Sequence, residues 1–190
     1  PPRIVFQGKS MAVVYVVDVG GERVLRFDDA AGVDQSAMSF ANPRDAVVEY
    51  VRVASATARL LPSPPARVLV VGLGGGGFVR QGLELWPAAR LDAVEIDPLV
   101  VDVARRFFFL PEEPRLRVFV RDAVPFLGHV PHPYDFVFLD AYGAEGIPEA
   151  LRSQRFFASA QAAAPAGLVA ANVALLPDDE LDAVVGAFAS

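Results

Sequence analysis

The sequence predicts an α/β fold: a mostly parallel sheet with helices on both faces, plus a small N-terminal β-hairpin element. Three observations predict it. From Arg67 onward, short apolar runs alternate with segments of helical periodicity, the pattern of parallel strands joined by crossover helices. Nearer the start, two β-rich runs, AVVYVVDV and RVLRFD, are separated by Gly20 and Gly21. A glycine-rich turn, GLGGGG, follows the first parallel run and opens a helical pattern. A chain of 190 residues is long enough for one such layered core with a small appendage.

Taken in order, residues 1–41 read as the N-terminal β element. Asn42 precedes Pro43 and lies three residues before Asp45, which supplies an N-cap, a proline suited to the first helical position and a capping-box-like partner for a helix running to about Leu61. The prolines of PSPP at 62–65 stop it, so 42–65 reads as a connecting helix and Pro-rich linker and 66–190 as the main domain. Candidate strands there are RVLVVG, RLDAVEI, RLRVFV, YDFVFLD and GLVAANV. Asp97 caps and Pro98 opens a helix whose Leu99, Val100, Val103, Ala104 and Phe107 recur at helical spacing, opposite Asp102 and Arg106. Ser153 caps QRFFASAQAAA, and Pro177, Asp178 and Asp179 begin a last helix that the chain end cuts short. The run Phe107, Phe108 and Phe109 exceeds the needs of one helix face, so either all three rings are core or one lies at a partner surface such as a homodimer contact.

Composition excludes several classes of function. A net charge of -6 without a basic stripe leaves nothing to release counterions from nucleic acid, so no nucleic-acid partner is expected. There is no cysteine, and His129 and His132 sit in the turn-like GHVPHPY, so no metal site is expected. The uncharged stretch from Phe156 to Leu176 is interrupted by Pro165 and Gly167 and is better explained by a helix end, a turn and a buried strand than by a membrane span. The chain opens on proline without a signal-peptide pattern and reads as a processed or recombinant piece of a cytoplasmic, soluble protein.

The chemistry gathers at strand ends. Gly72, Gly74 and Gly77 satisfy G-x-G-x-x-G at a strand-to-helix turn, where missing β-carbons let a ligand approach backbone amides; the alternative is a turn that only lets helix and strand pack closely. Glu95 ends the second strand, about twenty residues beyond the loop, where a carboxylate can accept both hydroxyl hydrogens of a ribose. Asp122 follows the third strand, placed either to reach an adenine edge with the next amide or to cap a short helix. Asp140 closes the fourth, ahead of the irregular DAYGAEGIP. Together these features point to a small-molecule nucleoside as partner.

The order VLVVGLGGGG, VEIDP, RDAVPFL, YDFVFLDAYGAEGIPEAL resembles the spermidine synthase family, within the Rossmann-like S-adenosylmethionine-dependent transferases of class I methyltransferase type, over roughly residues 35 to 173. The resemblance implies S-adenosylmethionine or its decarboxylated form as cofactor. Gly72, Gly74, Gly75 and Gly76 would line the methionine-derived portion, Glu95 would hold the ribose with Ile96 beside it, Asp122 and Ala123 the adenine, and Gln35 would lie near the sulfonium. Asp140 would orient the acceptor or the methionine amine and is the catalytic candidate. A sheet of this type would usually add two more strands, so the carboxyl edge reads as truncated or shortened.

Three departures matter. The family's G-G-G-D-G-G has an aspartate where this chain has Gly75, its D-S-S-D has a second aspartate where this chain has Gly143, and its D-E-F-S-Y has a tyrosine where this chain has Glu49. A diamine pocket needs carboxylates and a proton acceptor, and Glu49, Asp140 and Glu145 are the candidates to compensate. The function expected on these grounds is methyl transfer to an unidentified acceptor. The alternatives are aminopropyl transfer to putrescine or a related polyamine, a nicotinamide-dependent oxidoreductase, or a non-catalytic nucleoside-binding or oligomerisation domain.

Overall fold

The computed structural model describes residues 1–43, 49–143, 146–173 and 178–189. The predicted hairpin is present as β2 (Val13–Val19) and β3 (Glu22–Phe27), antiparallel with Val19 opposite Glu22. Gly20 and Gly21 both have positive φ, 61° and 88°, the geometry whose twist matches paired strands. Two further strands widen this element: β1 (Arg3–Lys9) pairs β2, and β4 (Ser36–Ser39) pairs β3, giving the order β1-β2-β3-β4. The sequence offered little sign of either, because β1 carries a register shift between Ile4 and Phe6 and β4 has only four residues, two of them serine.

The connecting helix is seen as α1 (Glu49–Thr57), followed by a 3-10 turn over Ala58–Leu60 ahead of the prolines. Its expected onset, with Asp45, lies outside the described residues. The main sheet contains β5 (Arg67–Val71), β6 (Arg90–Glu95), β7 (Leu116–Val120), β8 (Phe136–Leu139) and β9 (Leu168–Ala171), all parallel in the order β7-β6-β5-β8-β9. Crossovers run through α2 (Gly77–Leu85), α3 (Pro98–Phe107), α4 (Ala123–Leu127) and α5 (Gln154–Ala163), and α6 (Asp178–Ala189) follows β9. The stretch from Phe156 as far as its described part reaches, Val173, thus contains a helix end and a strand, and among the described residues no helix is long and apolar enough to cross a membrane.

Strand alternation sorts the core onto two faces. Val68, Val70, Phe136 and Phe138 meet α1 and α2 on one face, with Phe78 stacked on Phe138 at 4.4 Å. Leu69, Val71, Val137 and Leu139 meet α4 and α5 on the other, through Phe126, Phe156 and Phe157. Each fully buried phenylalanine or leucine contributes about 1.5–3 kcal/mol. Helix α3 serves two cores: Val101 and Ala104 belong to the first face, whereas Val100 and Val103 pack with Val14, Val16, Leu25 and Met38 of the N-terminal sheet. Its start is as expected, with Asp97 accepting the Leu99 N–H at 2.8 Å and Pro98 first in the helix.

One polar cluster had no signature in the sequence. Asp92, 2 % exposed inside β6, receives two bonds from the Arg117 guanidinium, at 2.8 and 2.7 Å, and one from the Tyr134 hydroxyl at 2.7 Å. It ties β6 to β7 and to the segment entering β8. His132 joins it, its Nε2 2.9 Å from Arg117 Nη2.

The three phenylalanines divide. Phe108 is fully buried, Phe107 packs on Phe6 at 5.2 Å, and Phe109 is 58 % exposed with φ 55°. The reading that all three are core is therefore corrected. Phe109 occupies the left-handed position after the helix end, where Leu110 N–H returns to the Ala104 carbonyl and glycine is the favoured residue. Phe109→Gly is expected to stabilise the fold by about 1 kcal/mol, seen as a melting temperature about 2–4 °C higher; an unchanged or lower melting temperature would show that the ring's contacts outweigh its backbone strain.

Candidate active site

The strand order reverses at β5: the chain moves outward through β6 and β7, then returns to β8 on the other side. Crevices at the carboxyl ends of strands beside such a reversal are where open α/β sheets bind ligands. Gly72 follows β5 there with φ 91°, and a β-carbon on it would lie 2.2 Å from the Asp140 carbonyl oxygen. Only glycine lets the two strand ends pass so closely.

The glycine loop is less bare than its sequence suggests. Gly72 N–H donates to the Val94 carbonyl at 2.8 Å, Leu73 N–H to the Glu95 carboxylate at 3.0 Å, Gly75 N–H to Ser36 Oγ at 2.8 Å, and Gly76 N–H to the Leu73 carbonyl at 2.8 Å. Among amides 72–76, only that of Gly74 has no partner among the described residues. The expectation of a naked amide cradle is corrected accordingly. Gly75 and Gly76, expected to line the ligand, are buried: a β-carbon on Gly75 would meet Phe108 at 2.9 Å and Ser36 at 3.0 Å, and one on Gly76 would meet Leu110 at 2.7 Å. Gly72, Gly74 and Gly77 remain partly open.

Glu95 ends β6 turned toward this loop. One oxygen accepts Leu73 N–H and the other Asp97 N–H, each at 3.0 Å. Burial pushes its carboxyl above the ordinary range, and the two backbone donors counter this in part. A carboxylate has room for further hydrogen bonds beyond those two. Ile96 beside it is 47 % exposed, as an apolar residue facing a ligand plane would be. Asp122 performs the capping alternative, accepting Val124 N–H at 2.8 Å at the start of α4, while Ala123 is buried behind it. Gln35 is half-buried immediately before Ser36, so β4 carries it to the glycine loop, and its own N–H is held by the Leu25 carbonyl at 2.8 Å.

Asp140 is held from two directions. The Tyr50 hydroxyl donates to Oδ2 at 3.0 Å, and Asn172 Nδ2 donates to Oδ1 at 2.9 Å. Burial raises its pKa to about 6, against the lowering effect of these two donors. Burial first, and the Asp140 charge second, push the Tyr50 phenol far above its usual range, so it remains a donor. The Tyr142 hydroxyl in turn donates to the Asn172 carbonyl at 2.9 Å. Beside this group opens a cleft of about 420 Å³ between α1 and strands β8 and β9, with Glu49, Tyr50 and Asn172 in its lining and Val53, Phe138 and Ala170 as apolar wall. Glu49 therefore shares this cleft with Tyr50 and Asn172, the two residues that hold Asp140; Glu145 lies outside the described residues.

Sequence reasoning missed four participants: Ser36, Tyr50, Arg80 and Asn172. Tyr50 stands next to Glu49, so a tyrosine was within one residue of the position where the resemblance looked for it. Arg80 was visible only as a charge near the start of a mostly apolar helical segment. Ser36 and Asn172 gave no local signal, because their partners are 39 and 32 residues away.

Comparison with known proteins agrees with this architecture. A family model for the spermine/spermidine synthase domain matches residues 52–173. The polyamine aminopropyltransferase of Vibrio vulnificus is 34 % identical over 155 residues, covering 79 % of this chain and 52 % of that protein. Spermidine synthase 2 of Hyoscyamus niger is 34 % identical over 176 residues, covering 88 % and 54 %. The chain thus spans about half the length of the curated relatives it matches. The crystal structure of Thermotoga maritima spermidine synthase superposes with a TM-score of 0.77 at 18 % identity, over 98 % of this chain and 63 % of that one. Human methyltransferase-like protein 13 in complex with SAH gives 0.66 at 27 % identity, over 74 % and 71 %. With the Rossmann-like sheet, the N-terminal β element and the matched segment all in agreement, this chain belongs to the spermine/spermidine synthase family.

Proposed function

We propose that this chain carries the donor-binding and catalytic part of an aminopropyltransferase, which moves the aminopropyl group of decarboxylated S-adenosylmethionine to an amine acceptor such as putrescine. The observation that carries the reading is Asp140: a half-buried carboxylate with its pKa raised to about 6, beside the glycine loop and joined through Tyr50 and Asn172 to a cleft that also contains Glu49. Donor and acceptor would meet there. The names of the relatives favour this transfer over the methyl transfer expected from the missing aspartates.

In the proposed reaction the acceptor nitrogen attacks the aminopropyl carbon bound to sulfur, the carbon–sulfur bond breaks, and neutral methylthioadenosine leaves. The nitrogen sheds one proton, which Asp140 accepts. Because a sulfonium is already an activated leaving group, alignment in a water-poor site supplies much of the acceleration. Glu95, Ile96, Asp122 and Ala123 would hold the nucleoside, with Gln35, Gly72 and Gly74 toward the sulfur. Glu49 would receive the far ammonium of a diamine, standing in for the absent carboxylates.

Incubating the protein with putrescine and either donor tests the reading: spermidine and methylthioadenosine should form from the decarboxylated donor. Methyl transfer is the second reading, favoured by Gly75 in place of the family's aspartate, and would be indicated by S-adenosylhomocysteine forming from S-adenosylmethionine. Failure of both donors and of methylthioadenosine to bind in calorimetry would sink both. Glu95→Gln is expected to weaken methylthioadenosine binding by about 10- to 100-fold, the worth of a charge-assisted hydrogen bond to the ribose; unchanged affinity would remove Glu95 from the site.

A further inference from the structure

We propose that Arg80 and Ser36 clamp the two peptide groups on either side of Gly75 and thereby set the shape of the donor loop, with Arg80 acting as a positioning residue; the inference rests on the donor reading given above. Three observations meet at Gly75. Gly75 N–H donates to Ser36 Oγ at 2.8 Å. Arg80 Nη1 donates to the Gly75 carbonyl at 2.5 Å and to the Phe108 carbonyl at 2.7 Å. The Phe108 ring fills the space a Gly75 side chain would need. The Gly75 N–H lies in the peptide that joins it to Gly74 and its C=O in the peptide that joins it to Gly76, so two consecutive peptide planes are pinned and the open Gly74 amide beside them keeps a fixed direction.

The chemistry of Arg80 is unusual for a residue that only fills space. It is 9 % exposed, its Nε has no hydrogen-bond partner, and its recorded partners are carbonyls. An arginine buried this deeply normally carries a carboxylate with it. Here the carboxyl end of α3, at Phe108, supplies partial negative charge. The guanidinium thus links the loop to the end of α3, and α3 to the N-terminal sheet, the same sheet that brings Ser36 from the other side. The closed, clamped glycine at position 75 offers no side chain, so the loop acts through its geometry.

The test compares wild type with Arg80→Lys, Arg80→Met and Ser36→Ala, measuring methylthioadenosine affinity by calorimetry and stability by urea denaturation. Val103→Ala, which thins the core between α3 and the N-terminal sheet, serves as the control for a merely structural effect. Expected are a loss of affinity of about 10-fold or more for Ser36→Ala and Arg80→Met, with partial rescue in Arg80→Lys, while the control loses stability without losing affinity. In turnover assays the variants should raise the donor KM and leave kcat nearly unchanged. Should Arg80→Met fail to fold, Ser36→Ala and Arg80→Lys decide the matter. Wild-type binding with the folded variants within twofold of it overturns the clamp alone; no binding by wild type overturns the donor reading, and the clamp with it.

Discussion

Asp140→Asn is expected to lower the rate of aminopropyl transfer by about 10²- to 10⁴-fold, the range for loss of a positioned base, while methylthioadenosine still binds. An amide keeps the shape of the carboxylate but cannot take a proton. The acid side of the wild-type rate profile should follow the same group: Asp140 works only when ionised, so the rate rises with pH through about 6 and levels above it. Stability runs the opposite way. Because the folded-state pKa lies above its ordinary 3.8, the folded protein holds this proton more tightly than the unfolded chain does. The associated stabilisation is complete below 3.8 and lost as pH rises through about 6. At neutral pH the ionised carboxylate therefore opposes folding, by about 3 kcal/mol at most. Asp140→Asn should accordingly be somewhat more stable than wild type at pH 7, less what is lost where its amide faces Asn172. A variant that retained wild-type turnover, or a profile flat between pH 5 and 7, would remove Asp140 as the base.

Gly72→Ala should cost the fold about 4 kcal/mol or more, a large part of a typical domain's total stability. The added methyl collides with the backbone carbonyl of Asp140 at 2.2 Å, and φ 91° is itself unfavourable for alanine. Relief would require β5 and β8 to part at their carboxyl ends, where Asp140 N–H bonds the Val71 carbonyl at 2.8 Å. The expected result is insoluble protein or a sharply lower urea midpoint. A soluble Gly72→Ala with the wild-type midpoint would show that the two strands do not approach as described.

The main sheet was legible because parallel strands buried on both faces write themselves as apolar runs, and because Asp97 with Pro98, and Ser153, punctuate the helices between them. The hairpin was legible through Gly20 and Gly21. What stayed hidden depends on pairing between distant residues. β4 is a strand because β3 pairs with it, since SAMS alone carries no strong preference. Ser36 matters only because folding sets it against Gly75. Asp92 reads as an interruption of an apolar strand until Arg117 and Tyr134 surround it. The strand-end positions of the candidate site, at Gly72, Glu95 and Asp140, were legible because local spacing along the strands fixes where they stand. The internal occupation of the loop amides was not, because it depends on a serine from another sheet and on a strand-end carboxylate folding back.

Helix α3 lends one side to each of the two sheets, so neither can lose its order while the other keeps it. Heating should therefore melt both in one cooperative transition. A lesion in the antiparallel sheet should therefore lower the melting point of the parallel sheet by the same amount.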